Sequence, residues 1–461
     1  MTTWFPRVTL HSLVVLISVL VYILTTRAQR ELRPPSIAIA WVLGLIALPY
    51  LVLPMYLMFG RRKFTRKTLG RPTAHVHTGH WAEDLIESFG LAAAAPASIN
   101  MHQDGRDSAA ALFAAMSASR FRVDICTYIL GNDAFGREVM RRMTECAARG
   151  VEVRLLLDGV GAIQLPRSCF RQMRAAGIQI EIFSPLLARK TQGPRNLRNH
   201  RKMVIADGSA LWAGGRNLAA EYFSGKNGAL PWVDLTFDLQ GPAAGAAAAQ
   251  FEQDWIAACG PPAREPAALE SDAAQIAVPR PAAAHKAQYL PSGPDQAEDT
   301  VHALLIDACF HARTRMLAVT PYFVPDAALE TAMRLAARRG VQIDLVIPAA
   351  SNHRLADFAR ARALRALSNA GVGVHLLPYM NHAKAVVFDD SLALSGSPNI
   401  DSRSLLLNYE CAIVFYGRRE IEWLANWITA LRADSTPFDC RRPGLMRDLA
   451  EGLLLSVAYQ L

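Results

Sequence analysis

The sequence predicts an α/β protein with two lobes of like architecture. Each lobe is a mixed sheet flanked by helices, and a pseudo-twofold axis relates the two. A two-helix transmembrane hairpin is expected to precede them. Three observations predict this fold. One motif occurs twice, as "NHRKMVIADGSALWAGGRN" at 199–217 and as "NHAKAVVFDDSLALSGSPN" at 381–399. Matching helix–strand units precede each copy. The N-terminus, in contrast, is apolar and basic.

The N-terminal hairpin rests on two uncharged stretches. Residues 8–26 and 36–59 carry no formal charge, taking His11 as neutral. Each is long enough to cross about 30 Å of hydrocarbon as a helix. No small-residue cleavage site follows the first, so both are expected to be retained. Pro49 and Pro54 are expected to kink the second. The stretch "GRRKFTRKTLGR" at 60–71 holds six basic residues and no acid. Such a cluster stays on the cytoplasmic side and attracts anionic headgroups. This predicts a multi-pass membrane protein with both termini and the lobes on the cytoplasmic side.

Charge placement bears on the partner. The chain has 461 residues and a net charge of +9. Residues 1–71 alone account for +9, so the remainder is neutral. A neutral body argues against a duplex-binding surface, and no nucleic-acid partner is expected. Seven cysteines without a Cys-x-x-Cys pair fit a reducing compartment.

The lobes follow from repeated units. "AARGVEVRLLLD" (147–158) matches "AARRGVQIDLVIP" (336–348), each a helix end, a Gly stop and an apolar strand. "AAGIQIEIFSP" (175–185) matches "NAGVGVHLLPY" (369–379). Alternating helices and buried strands predict a largely parallel sheet covered on both faces. The expected division is 1–71 for hairpin and anchor, 72–260 for the first lobe, 261–297 for an Ala/Pro-rich linker and 298–461 for the second lobe.

In each motif copy His and Lys stand two residues apart. On a strand they share a face. A turn at "ADGS" returns the chain as a second strand. That brings Asn217 beside His200 and Lys202, and Asn399 beside His382 and Lys384. The glycines Gly215 and Gly396 leave room for a ligand near the backbone. Two lysines and two carboxamides suit a phosphoryl group, whose charge sits on non-bridging oxygens. One imidazole can attack phosphorus and the other protonate the leaving oxygen. No metal or other cofactor is needed, because the lysines carry the positive charge.

The paired motif resembles the signature of the phospholipase D superfamily. "TPYFVPD" (320–326), "GSPNIDSRSLLLNYE" (396–410), and "GGRNLAAEY" followed by "WVD" (214–234) are similar to bacterial cardiolipin synthases. The resemblance implies two phospholipase D-like lobes and a two-step exchange. His200 attacks phosphatidylglycerol, glycerol leaves, and a phosphatidyl-histidine remains. A second phosphatidylglycerol, deprotonated by His382, then releases cardiolipin. Lys202, Lys384, Asn217 and Asn399 hold the phosphoryl oxygens, and Ser397 adds a hydroxyl donor. Glu410 matches the superfamily position for an acid that orients one imidazole, and Asp234 is the candidate for the other. Asp207 and Asp389 complete the two signatures. Their parity is odd relative to the histidines, which suits bracing of the hairpin.

Other phospholipids as donor, and hydrolysis to phosphatidic acid, share the first half-reaction and remain open. A nuclease of the superfamily is disfavoured by the apolar N-terminus and the neutral body. His75, His77 and His80 read as a polar loop and not a metal site. Tyr322 and Phe323 read as core, and Asp326 as a helix N-cap. Arg403 suits an ion pair or a headgroup phosphate equally. His353 reads as a loop residue after a strand end.

Overall fold

A computed structural model describes residues 10–29, 35–60, 78–185, 196–226, 228–259 and 285–455. The anchor at 61–71 and most of the expected linker lie outside them.

Three helices stand where two spans were expected. They are Leu10–Gln29, Pro35–Ala47 and Pro49–Phe59. Among the described residues, no helix is long and apolar enough to cross a membrane. The second expected span is split at Leu48, which leaves the helical region at φ −137° and ψ 57°. Pro49 follows, and proline cannot donate the amide that would continue the ladder. The resulting helices of 13 and 11 residues reach only about 20 and 17 Å. Tyr22, Leu45 and Tyr56 pack the three together.

The first lobe and its approach contain β1 (Ala95–Pro96), β2 (Ser98–His102), β3 (Arg122–Thr127), β4 (Glu152–Asp158), β5 (Gln179–Phe183), β6 (Met203–Ala206), β7 (Ala210–Gly214) and β8 (Thr236–Gln240). The second contains β9 (Lys286–Ser292), β10 (Arg315–Val319), β11 (Phe323–Val324), β12 (Gln342–Pro348), β13 (Gly373–Leu377), β14 (Ala385–Phe388), β15 (Leu392–Gly396), β16 (Ile400–Asp401), β17 (Glu410–Phe415) and β18 (Thr436–Pro437). One sheet runs β2-β8-β7-β6-β3-β4-β5. The other runs β1-β9-β17-β15-β14-β10-β12-β13-β18. Without the edge strands β1 and β18, the two orders correspond strand for strand. In both, three parallel strands adjoin antiparallel ones.

Local chemistry explains the parallel part. Asp133 and Asp326 cap helices Ala134–Ala148 and Ala327–Arg338 through their side chains. Gly150 and Gly340 end them at φ +85° and +95°, where a Cβ is disfavoured. The strands that follow are buried on both faces, hence their continuous apolar runs. The outer core of each lobe lies under these helices. A third core lies between the lobes, where Phe237 meets Phe415 with ring centroids 5.5 Å apart. Such an edge-to-face pair contributes about 1 kcal/mol beyond area burial.

Two boundaries differ from expectation. The expected linker ends early, because β9 pairs with β17 along its length. Its Pro291 is tolerated because β1 covers only Lys286 and Ala287 on the other side. The segment expected to open the first lobe packs on the second. Ala82 and Ile86 enter the second lobe's outer core, and Lys286 bonds Glu83 at 2.6 Å.

Candidate active site

The sheet register places both motifs at the same end. Met203 on β6 lies opposite Cys126 near the C-terminal end of β3, so His200 falls just beyond that end. Ala385 on β14 lies opposite Val319 at the end of β10, so His382 does the same. There the lobes exchange backbone bonds. The His200 amide donates to the Tyr409 carbonyl at 2.8 Å, and the Tyr409 amide to the Arg198 carbonyl at 2.9 Å. The His382 amide donates to Val233 at 2.6 Å, and the Val233 amide to Met380 at 3.1 Å. The strand leading into each motif thus pairs with the opposite lobe.

This exchange delivers the acids crosswise. His200 Nδ1 lies 2.9 and 3.1 Å from the two Glu410 oxygens. His382 Nδ1 lies 2.8 Å from Asp234 Oδ2. Each imidazole therefore takes its acid from the other lobe. A carboxylate on Nδ1 favours the proton there and leaves Nε2 unprotonated. Burial pushes His200 down to about 4 against the pull of Glu410. It pushes His382 down to about 3, with Lys384 reinforcing it and Asp234 opposing. Burial alone raises Glu410 and Asp234. The facing imidazoles, together with the nearby lysines, Arg216 and Ser397, offset it and hold both carboxyls below the ordinary value. The His200 side chain is 13% exposed and that of His382 4%, so the first is the more open to a ligand.

The lysines complete one electrostatic unit. Lys202 Nζ donates to the His200 carbonyl at 2.8 Å. Lys384 Nζ donates to the His382 carbonyl and lies 2.8 Å from its Nδ1 and 3.0 Å from its Nε2. Burial lowers Lys202 to about 8 and Lys384 to about 7. The charge of Lys202 reaches His382, and that of Lys384 reaches His200. Aromatic rings wall the pair. Tyr128 stands 5.2 Å from His200, and Tyr222, Trp232 and Tyr322 stand 5.0, 5.8 and 6.4 Å from His382.

Several expected site residues do other work. Ser397 spends its hydroxyl on protein partners. Its hydroxyl donates to Glu410 Oε2 at 2.5 Å, and the Cys411 amide donates back to it at 3.0 Å. Gly215 and Gly396 spend their amides on the Leu235 and Lys384 carbonyls. Their role is clearance. A Cβ on Gly215 would meet Asp234 Oδ1 at 2.1 Å, and one on Gly396 the Cys411 carbonyl at 2.3 Å. Asp207 and Asp389 sit at the hairpin turns, roughly 20 Å along the strand from the histidines. Asp207 accepts from the amides of Arg120, Phe121 and Arg122. Asp389 accepts from those of Arg313, Thr314 and Arg315. Both brace the hairpin and stand outside the centre. Asn217 donates to the Tyr222 hydroxyl at 2.8 Å, and Asn399 to Ser404 at 3.0 Å. Each carboxamide nitrogen keeps a second N–H.

Motif spacing does not mark Tyr128, Tyr222 or Trp232, and Tyr322, expected in the core, stands beside His382. Trp232 stands two residues before Asp234, and Tyr128 directly follows a buried strand. Both placements are signals of a strand-end site. His80 caps helix Trp81–Ser88, accepting from the Ala82 amide at 3.3 Å. His75 and His77 lie outside the described residues. His353 neighbours Tyr322 at 6.0 Å. Arg403 donates to the Asn196 carbonyl at 2.8 Å across the lobe boundary.

Comparison with known proteins agrees with this architecture. Residues 112–255 and 305–432 match the family described as cardiolipin synthase, PLD-like domain. Residues 14–61 match a phospholipase D-nuclease N-terminal family. Cardiolipin synthase A of Pseudomonas aeruginosa strain LESB58 is 32% identical, over 93% of this chain and 91% of its own. Cardiolipin synthase A of Pseudomonas putida strain W619 is 32% identical, over 87% and 88%. The phosphatidylserine synthase structure from Haemophilus influenzae shares the fold, with a TM-score of 0.59 at 13% identity, over 78% of this chain and 94% of that one. With two matched lobes, paired motifs and full-length relatives, the chain belongs to the cardiolipin synthase family of phospholipase D-like proteins.

Proposed function

We propose that the protein makes cardiolipin from two phosphatidylglycerol molecules through a phosphatidyl-histidine intermediate. That it is a phosphatidyltransferase follows from its family. The reading of the mechanism rests on one observation: both imidazoles are oriented through Nδ1 by an acid of the opposite lobe. This leaves the His200 Nε2 open to phosphorus, while the His382 Nε2 faces the Lys384 ammonium at 3.0 Å until a substrate phosphate takes up that charge.

His200 Nε2, the more open, attacks phosphorus, and the P–O bond to the terminal glycerol breaks. The bound phosphate anion raises the pKa of the imidazole it approaches. His382 thus carries the proton that the departing glycerol oxygen takes. The hydroxyl of a second phosphatidylglycerol then gives its proton to His382 and attacks phosphorus. The P–N bond breaks and cardiolipin leaves. Lys202, Lys384 and the spare N–H groups of Asn217 and Asn399 offset charge on the non-bridging oxygens.

The substrates reside in a bilayer, and the N-terminal helices suit one. Leu13, Leu16, Leu20, Leu24, Leu43 and Leu51 are exposed there. A contiguous apolar surface of this kind seats in lipid. The protein is accordingly read as an enzyme of the bacterial inner membrane, with its lobes on the cytoplasmic side.

Purified protein with labelled phosphatidylglycerol and no divalent ion should yield cardiolipin and free glycerol. Phosphatidic acid as the sole product would replace transfer by hydrolysis. His200→Ala and His382→Ala should each lower turnover about 1000-fold or more, since each carries a covalent or proton-transfer step.

A further inference from the structure

The residue between the first His and Lys is Arg201, and its counterpart in the second copy is Ala383. Arg201 is completely buried at the boundary between the lobes. Its Nε donates to the backbone carbonyl of Glu410 at 3.0 Å. Nη2 donates to the Ser292 carbonyl at 3.3 Å. The charge is met by Asp254 of the first lobe at 2.5 Å and by Asp295 of the second at 2.9 Å. Gln250 donates to both acids at 3.0 Å. The guanidinium also lies 5.3 Å from the Tyr409 ring centroid. A planar fork with five donors thus joins both lobes at the residue whose carboxylate holds His200.

Among the described residues no clamp joining the two lobes stands behind Asp234; the buried Arg216 near it donates to the Tyr222, His102 and Gln103 carbonyls and to Thr236, all of its own lobe. Ala383 has no polar side chain, and Asn381 Nδ2 has no partner among the described residues. The corresponding Asn199 Nδ2 donates to Asp254 at 3.1 Å. The two halves of the centre are alike in their histidines and acids, and differ in this clamp.

We propose that Arg201 is a positioning residue for the His200 half alone, fixing the backbone at Glu410 so that its carboxylate stays against His200 Nδ1. It touches neither substrate nor the reacting atoms. The inference rests on the roles given above to His200 and Glu410. It predicts that loss of the clamp acts through Glu410 and leaves the Asp234–His382 pair in place.

The test is a pair of double-mutant cycles on the full-length enzyme, with cardiolipin formation as the readout. R201K keeps the charge and loses the fork. Its kcat should fall about 10- to 100-fold with KM within about twofold. R201K/E410Q should fall no further than E410Q alone, because the function lost is the same. R201K/D234N should show the product of the two losses. R154K is the control. Arg154 is likewise buried, paired with Asp124 at 2.7 Å and Glu252 at 2.8 Å away from the centre. It should change stability without coupling to E410Q. D295N removes one charge of the clamp and keeps the Arg201–Asp254 pair. It provides the same cycle should R201K not fold, with a loss of about 3- to 10-fold. Equal multiplication with E410Q and D234N would make Arg201 merely structural and overturn the proposal. An active His200→Ala enzyme would instead overturn the mechanism on which it rests.

Discussion

At the scale of single residues, the centre holds groups whose charge is set by burial. In the free enzyme both imidazoles are neutral above about pH 4, and His382 gains its proton only when the phosphate anion is bound. The lysines limit the alkaline side. A lysine with a lowered pKa keeps its charge below that value and loses it as pH rises. Lys384 titrates near 7 and Lys202 near 8. The profile of kcat/KM should therefore turn down more steeply above about pH 7, where the lysines begin to lose their charge. In Lys384→Gln the steeper fall should begin near 8, from a lower level. A wild-type profile without that downturn by pH 9 would contradict the charged-lysine cradle. The two histidines and two lysines of the candidate centre were legible because two copies share one spacing. Ser397, Gly215 and Gly396 were misassigned because spacing tells which residues are near a site. Where each hydrogen points depends on the neighbouring strand, and Glu410 rather than substrate takes the Ser397 hydroxyl.

At the scale of elements, the motif hairpins are held at both ends. The open end is bridged to the opposite lobe, and the closed end is tied by Asp207 or Asp389 to the entry of β3 or β10. Asp207 adopts φ 52° and Asp389 φ 49°, a left-handed conformation that Asp tolerates. Replacing Asp207 by Ala leaves three backbone amides without their acceptor. The expected cost is about 1–3 kcal/mol, seen as a lower urea midpoint. The folded fraction should retain wild-type kcat within about twofold, since Asp207 stands outside the chemistry. A large kcat loss at unchanged stability would return it to the centre. The parallel strands and their crossover helices were legible from apolar runs and glycine stops. Strand β9 was not, because Ala and Pro dominate its surroundings and its pairing partner β17 lies over a hundred residues away. The broken second span was partly legible, since Pro49 marked a kink whose depth depends on Leu48 leaving the helix.

At the scale of the whole molecule, two similar lobes make one centre by trading acids, and under the proposed function that centre meets lipids that stay in a bilayer. The body is neutral overall, so long-range attraction to anionic headgroups has to come from residues 1–71, where the excess positive charge lies. The N-terminal helices add the apolar component. Leu16 is 66% exposed and Leu20 51%, on a helix whose inner side packs through Tyr22. Burying two such side chains in lipid contributes about 3–6 kcal/mol, enough to decide partition. Leu16→Glu with Leu20→Glu should therefore abolish co-sedimentation with phosphatidylglycerol vesicles. Its kcat/KM on vesicles should fall at least about 10-fold, while activity on short-chain phosphatidylglycerol below its micellar concentration should hold. The two substrates separate the outcomes, since a folding defect would lower both. Unchanged co-sedimentation would mean that the helices do not anchor the enzyme, and that the lobes themselves must hold the membrane.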